Sequence, residues 1–193
     1  MPRQREFVPE EALQKVITLF WEKGYNGTSV DEVVKRTGVA KYGIYGTFGT
    51  KRELFKKALS QFAIDRHNDI QRPLRKANAS LPHIRAFFKS APKTMTQTGR
   101  QHGCLMCNTG VEVGLNDPEF NKIVQSFFAE TTNVMKHCLE RAVDKGELDH
   151  STDAGSLATY LVTEFRTSLM LARSGHSRRE IENHLKIALR ILG

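Results

Sequence analysis

Apolar residues recur at intervals of three and four along nearly the whole chain. No stretch of useful length alternates with the period of two that a half-buried strand needs. That periodicity confines the chain to an all-α fold. Leu13, Val16, Ile17 and Phe20 share one face of a helix expected over 10–23, and Gly24 stands where a helix stops. Gly24-Tyr25-Asn26-Gly27 is a turn. Ser29, with Glu32 three positions on, forms a capping box for a short helix through Arg36, ended by Gly38. A third short helix is expected over 40–48, then a break at Gly49-Thr50. A longer helix follows from Lys51 with Leu54, Phe55, Ala58, Leu59 and Phe62 inward, closed by Pro73. Ser80-Leu81-Pro82 opens another helix running to about Thr98, and a polar, Gly-rich loop over 99–103 leads into a segment over 104–114. Asp117-Pro118 sets a capping side chain before a proline that costs nothing in a first turn, so a helix starts there and reaches Asp144. Two more are expected over 153–173 and 178–192, the last announced by the capping box of Ser177 and Glu180.

At 193 residues the chain suits one compact unit or two small subdomains sharing a core. No window approaches the roughly 18 apolar residues of a spanning helix, and MPRQREFVPEE lacks the apolar core of a secretory signal, so a cytoplasmic protein with no membrane partner is expected. The 3 cysteines, Cys104, Cys107 and Cys138, are an odd set in a chain long enough to fold without staples, and reduced thiols are expected. A net charge of +8 favours an anionic partner such as nucleic acid. The charge is densest at the start, where residues 1–60 carry 11 Lys/Arg against 7 Asp/Glu. The sequence holds no phosphate-binding glycine loop after a strand, no metal-ligand cluster and no nucleophile flanked by base and acid, so an enzyme is not expected and no cofactor is implied.

Helix, glycine turn and helix over residues 28–48 outline a helix-turn-helix. Glycine costs a helix about 1 kcal/mol relative to alanine, so Gly43 and Gly46 inside so short a helix need a reason such as close approach to another backbone. Val39, Ile44 and Phe48 can pack on Val30, Val33 and Val34, which leaves Lys41, Tyr42, Tyr45 and Thr47 for a DNA groove and its phosphate walls. Lys51 opens the following helix, where a phosphate would meet both its charge and the free N–H groups.

GYNGTSVDEVVKRTGVAKYGIYGTFGTKRELF resembles the N-terminal DNA-binding domain of the TetR family of transcriptional repressors, through Gly24, Tyr25, Thr28, Ser29, Gly38, Val39, Ile44, Tyr45, Phe48, Lys51 and Leu54. The likeness covers about 50 residues. It implies that Tyr45 and Lys51 contact phosphates, that Thr28 or Ser29 meets the DNA backbone, and that Lys41, Tyr42 and Thr47, with Gly43 between them, face the bases. Gly46 departs from the pattern, standing where the family often carries His, Tyr or Trp. The division implied is a DNA-binding domain over 1–50, a connecting helix over 51–68, and a helical ligand-binding and dimerisation domain over 69–193.

Because one small helix-turn-helix reads few base pairs, such proteins bind palindromic operators as homodimers. The resemblance places the dimer surface on the last two helices, where Leu157, Leu161, Phe165, Leu169, Ile181, Leu185, Ala188 and Ile191 form apolar rows equally compatible with monomer core. Phe88, Met95, Met106, Phe127, Phe128, Met135, Tyr160 and Phe165 are candidates to line a pocket for a small organic effector that releases the DNA. From Ile70 to Val111 there is no Asp or Glu, while Arg72, Arg75, Lys76, Arg85, Lys89, Lys93 and Arg100 are present, which points to an anionic or polar-ended effector or to a solvated basic face. Cys104 and Cys107 on one helix face suit packing in a core. The alternatives are a redox-responsive regulator using that pair, half of a zinc site completed by His102 or Cys138, and a protein that binds DNA without regard to sequence.

Overall fold

The computed structural model describes residues 7–69, 71–96 and 102–193. Among these, nine α-helices and one closing 3-10 helix make up the regular structure, with no strand. They are α1 (Pro9–Lys23), α2 (Val30–Thr37), α3 (Lys41–Phe48), α4 (Lys51–Asp69), α5 (Leu81–Met95), α6 (Leu105–Glu112), α7 (Pro118–Asp144), α8 (Ala154–Arg173) and α9 (Arg178–Ala188), followed by the 3-10 turn Leu189–Leu192.

The capping residues read from the sequence do the work expected of them. The Ser29 hydroxyl accepts from the Glu32 N–H while the Glu32 carboxylate accepts from the Ser29 N–H, and Ser177 and Glu180 repeat the arrangement before α9. Asp117 accepts from the N–H groups of Glu119 and Phe120 at the start of α7. Gly38 ends α2 at φ 77, a left-handed conformation that a side chain would strain, and this sharp reversal aims α3 away from α2.

Two expectations change. The final helix gives way to a 3-10 turn after Ala188. The fifth helix ends at Met95, and Thr98, Gly99 and Arg100 lie outside the described residues. It also carries Pro92 in its interior, which has no N–H to give the carbonyl one turn back.

A head of α1, α2 and α3 meets a body of α5 to α9 through α4. Phe55 of α4 is 1% exposed and packs edge-on against Phe20 of α1 at 4.7 Å and against Phe120 of α7 at 5.0 Å. Tyr25, in the turn after α1, closes the cluster at 4.9 Å from Phe55 and 5.4 Å from Phe120. Within the body α7 and α8 pack along each other, α9 lies against α8 and α5, and Glu147 from the loop after α7 accepts from the Leu81 N–H at the start of α5. Phe55→Ala is expected to destabilise the protein by about 3–5 kcal/mol, the range for emptying a buried phenylalanine site. Urea unfolding followed by circular dichroism measures it, and a loss under 1 kcal/mol would mean that the cluster does not join head and body.

Candidate nucleic-acid interface and ligand cavity

Ile44 and Phe48 bury one side of α3, and its opposite side is open. Lys41, Tyr42, Tyr45 and Gly46 are exposed there, Tyr42 at 88%. A Cβ on Gly46 would meet nothing within 4 Å, so that part of the face is free for the approach of another molecule. Gly43 is different. A Cβ there would sit 3.0 Å from Val39 and 3.4 Å from Phe7, so this glycine permits packing inside the head and turns away from the open face.

The other residues expected at DNA divide in the same way. Ser29 is exposed at the N-cap of α2. Thr28 is buried at 1%, and its hydroxyl donates to the Gly24 carbonyl at 2.8 Å, which withdraws it from any phosphate contact. Thr47 is half-buried, and its carbonyl accepts from Lys57 at 3.2 Å. Lys51 lies over the Tyr25 ring, 4.4 Å from its centroid, where partial desolvation lowers its pKa. Thr50 and Glu53 cap each other's N–H groups at the start of α4, so these two are not free for a phosphate as the sequence suggested.

Carboxylates hold the basic groups around this surface. Lys41 pairs with Asp31 at 3.2 Å, Arg36 with Glu22 at 2.6 Å, and Lys23 with Glu32. The Lys23 ammonium and the Ser29 N–H bring the Glu32 pKa down to about 2. Such exposed pairs contribute little to stability, so exchanging Lys41 from Asp31 to a phosphate costs little.

Polar ties flank the aromatic junction. Glu112, the last residue of α6, accepts from the N–H groups of Tyr25 at 2.9 Å and Asn26 at 2.7 Å, gripping the turn between α1 and α2. Arg52 forks onto Asp117 at 3.0 and 3.1 Å and reaches Glu119 at 2.6 Å, and Lys56 also pairs with Glu119. Neither tie was foreseen, because the spacing from residue 25 to 112 or from 52 to 117 has no local signature.

A cavity of about 560 Å³ opens between α1, α4, α5, α7 and α8. Its apolar wall includes Trp21, Phe62, Phe87, Phe127, Phe128 and Phe165. Of the expected pocket residues, Met95, Phe127, Phe128 and Phe165 line it. Phe88, Met106 and Met135 are instead packed in the core, and Tyr160 is on the outer face of α8 at 38% exposure. Trp21 and Phe62 were missed because Trp21 lies outside the apolar face read for the first helix and Phe62 read as an ordinary inward position of the connecting helix.

None of the described basic residues of 70–111 is among the lining residues. Arg75 pairs with Glu130, Arg85 donates to the Leu192 carbonyl, and Arg100 is outside the described residues. Among the described residues the charged side chains in the wall are Arg66 and Asp69, one of each sign. Cys104 lines the cavity edge, and both Cys104 and Cys107 are buried free thiols in the core. A hydrogen bond between them holds Cys104 below and Cys107 above the ordinary thiol pKa. Cys138 is spent elsewhere, donating to the Leu74 carbonyl. Among the described residues no group of three or more His, Cys, Asp or Glu is placed to hold a metal ion, and no helix is long and apolar enough to cross a membrane.

The apolar rows assigned to dimerisation are inside the subunit, except for Ile191. Leu157, Leu161, Ile181, Leu185 and Ala188 are buried, and Phe165 and Leu169 face the cavity. The exposed side of α8 carries Tyr160, Thr163 and Met170 in steps of three and seven, and beyond it Ile187 and Ile191 are exposed at 62% and 58%.

Residues 13–58 match the family model described as "Bacterial regulatory proteins, tetR family", and residues 80–187, more than half of the chain, match "Tetracyclin repressor-like, C-terminal domain". The chain is 28% identical over 193 residues to the HTH-type transcriptional regulator YezE of Bacillus subtilis (strain 168), covering 100% of both. It is 27% identical to the HTH-type transcriptional repressor BdcR of Escherichia coli (strain K12), over 93% of this chain and 86% of that protein. The fold is shared with the regulator CifR, solved as a cysteine mutant with a 26 bp operator duplex, at a TM-score of 0.85 and 22% identity over 97% of this chain and 98% of that one.

Ion pairing with Arg52 holds the Asp117 carboxyl below its usual pKa, and Lys56 first and Arg52 second do the same for Glu119. A carboxylate lowered in the folded state stabilises above its ordinary pKa, near 4, and that gain is lost as pH falls through the folded value. Arg52→Gln should therefore melt below the wild type at pH 7, and the gap should close as pH drops below about 4. Thermal melts across that range measure it, and a gap independent of pH would show that the Arg52 fork is not the tie.

Proposed function

Because this chain belongs to the TetR family of bacterial transcriptional regulators, and not to an enzyme family, we propose that it is a sequence-specific DNA-binding repressor, acting as a homodimer on a palindromic operator and released by a small organic effector. The observation that carries this reading is the open face of α3, with Lys41, Tyr42 and Tyr45 around a glycine that leaves the approach clear. An eight-residue helix with one side buried and the other presenting Lys41, Tyr42, Tyr45 and an unobstructed glycine has the form needed to enter a major groove. In this reading Tyr42 meets base edges, Lys41, Tyr45 and Ser29 meet phosphates, and Lys51 supports Tyr25 from behind. The functional division runs through α4, which belongs to both the DNA-reading head and the effector-binding body.

Similarity to a regulator named a repressor, and to one solved on operator DNA, supports the same direction of action. The dimer surface in this reading is the exposed side of α8 and the chain end, with Tyr160, Thr163, Met170, Ile187 and Ile191. Two heads held at one spacing read two half-sites, and an effector acts by changing that spacing. Trp21 in the cavity wall, Phe55 in the junction and Glu112 on the head turn are the physical links through which occupancy reaches α3.

Selection of bound sequences from a random duplex pool, followed by fluorescence anisotropy on the winner, tests the reading. A palindromic winner is expected. Recovery of no preferred sequence would favour binding by phosphate charge alone. Lys41→Ala should weaken specific and random duplexes alike and reduce the salt slope by about one, whereas Tyr42→Ala should cost about 1–3 kcal/mol on the selected sequence and relax its preference. The double variant Ile187→Asp, Ile191→Asp should sediment as a monomer with an unchanged helical spectrum and bind the palindrome about 100-fold more weakly. A dimeric double variant would displace the interface from this face.

A further inference from the structure

Gln71 lines the cavity, is 5% exposed, and has an unusual hydrogen-bond balance. The Thr131 hydroxyl, also in the wall, donates to the Phe127 carbonyl at 2.9 Å, so its oxygen is left only to accept. The Gln71 amide group 2.8 Å from that oxygen must then be the NH2, which fixes the orientation of the side chain. Its Oε1 is buried and has no donor among the described residues. The other wall hydroxyls offer none, since Ser90 donates to the Phe87 carbonyl at 2.9 Å and Thr94 to the Ser90 carbonyl at 3.5 Å.

A buried acceptor without a donor is costly, and buried amide oxygens nearly always have one. Around it the wall is chiefly apolar, with six aromatic side chains, and among the described residues the charged side chains lining it, Arg66 and Asp69, are of opposite sign, so the lining itself carries no surplus of either charge. Flat rings fit such walls through edge and offset contacts. A volume of about 560 Å³ falls within the ordinary range for small-ligand sites.

We propose that the effector is a neutral, largely apolar ring compound with a single hydroxyl or N–H donor, which it gives to Gln71 Oε1. This rests on the reading of the cavity as the effector site and corrects the anionic effector that the run of basic residues suggested.

The test uses the full-length protein and four probes of matched size: 4-butylphenol, its methyl ether 4-butylanisole, butylbenzene and the anion 4-butylbenzoate. Calorimetry measures binding, and anisotropy on the selected duplex measures release separately. The phenol is expected to bind roughly tenfold more tightly than the ether and the hydrocarbon, and benzoate more weakly than the phenol. Gln71→Leu should erase the preference of phenol over ether, and Gln71→Glu, which keeps an acceptor, should retain it. If Gln71→Leu does not fold, the ranking on the wild type and on Gln71→Glu decides. Equal affinity for phenol and ether, tighter binding of benzoate, or no binding of any probe overturns the proposal. Tight, donor-dependent binding that leaves duplex affinity unchanged supports the ligand class and overturns the effector reading instead.

Discussion

The edge-on packing of Phe55 between Phe20 and Phe120 is the constraint on which the rest of the molecule depends. A head of three helices, of which α2 and α3 are each only eight residues long, has too little interior to hold its own orientation. Burying an aromatic ring of α4 between α1 and α7 gives that head a wall to rest on. Because apolar burial has no direction of its own, the cluster fixes distance and leaves the angle loosely set. The angle is set by directional groups at the rim, the Glu112 carboxylate on two backbone amides and the Arg52 fork on the cap of α7. These are exposed or half-buried contacts of modest strength, so the head is well attached and lightly aimed.

Local rules carried most of the fold. The capping boxes at Ser29 and Ser177, the Asp117 cap and the Gly38 reversal depend on residues a few positions apart, and such features are written directly into a sequence. Pro92 inside α5 ran against those rules, since nothing near it in sequence shows that its surroundings accept the missing hydrogen bond.

The sites were legible only in part, for a different reason. An apolar row at helical spacing states that a face is covered without stating what covers it. Leu157 and Leu161 are covered by the subunit's own body, whereas Tyr160, between them and polar-tipped, is the residue left outside. The cavity shows the same ambiguity. Its wall joins Trp21, Phe62, Phe87 and Phe127, which come from four helices and share no pattern. Thr28 and Gly43 were misplaced because the resemblance marks whole motifs, and within a motif some positions hold the head together while their neighbours face out.

Trp21 belongs to α1, a helix of the head, yet it forms part of the cavity lining and donates its indole N–H to the Gly103 carbonyl. The head and the cavity therefore share a structural member. Thermodynamic linkage then works in both directions: whatever factor an occupant of the cavity takes from duplex affinity, a bound duplex must take from the affinity for that occupant. Under the proposed reading, a promoter would thus shelter its own regulator from weak or passing metabolites, and the concentration needed to clear an occupied site would exceed that needed to fill a free subunit.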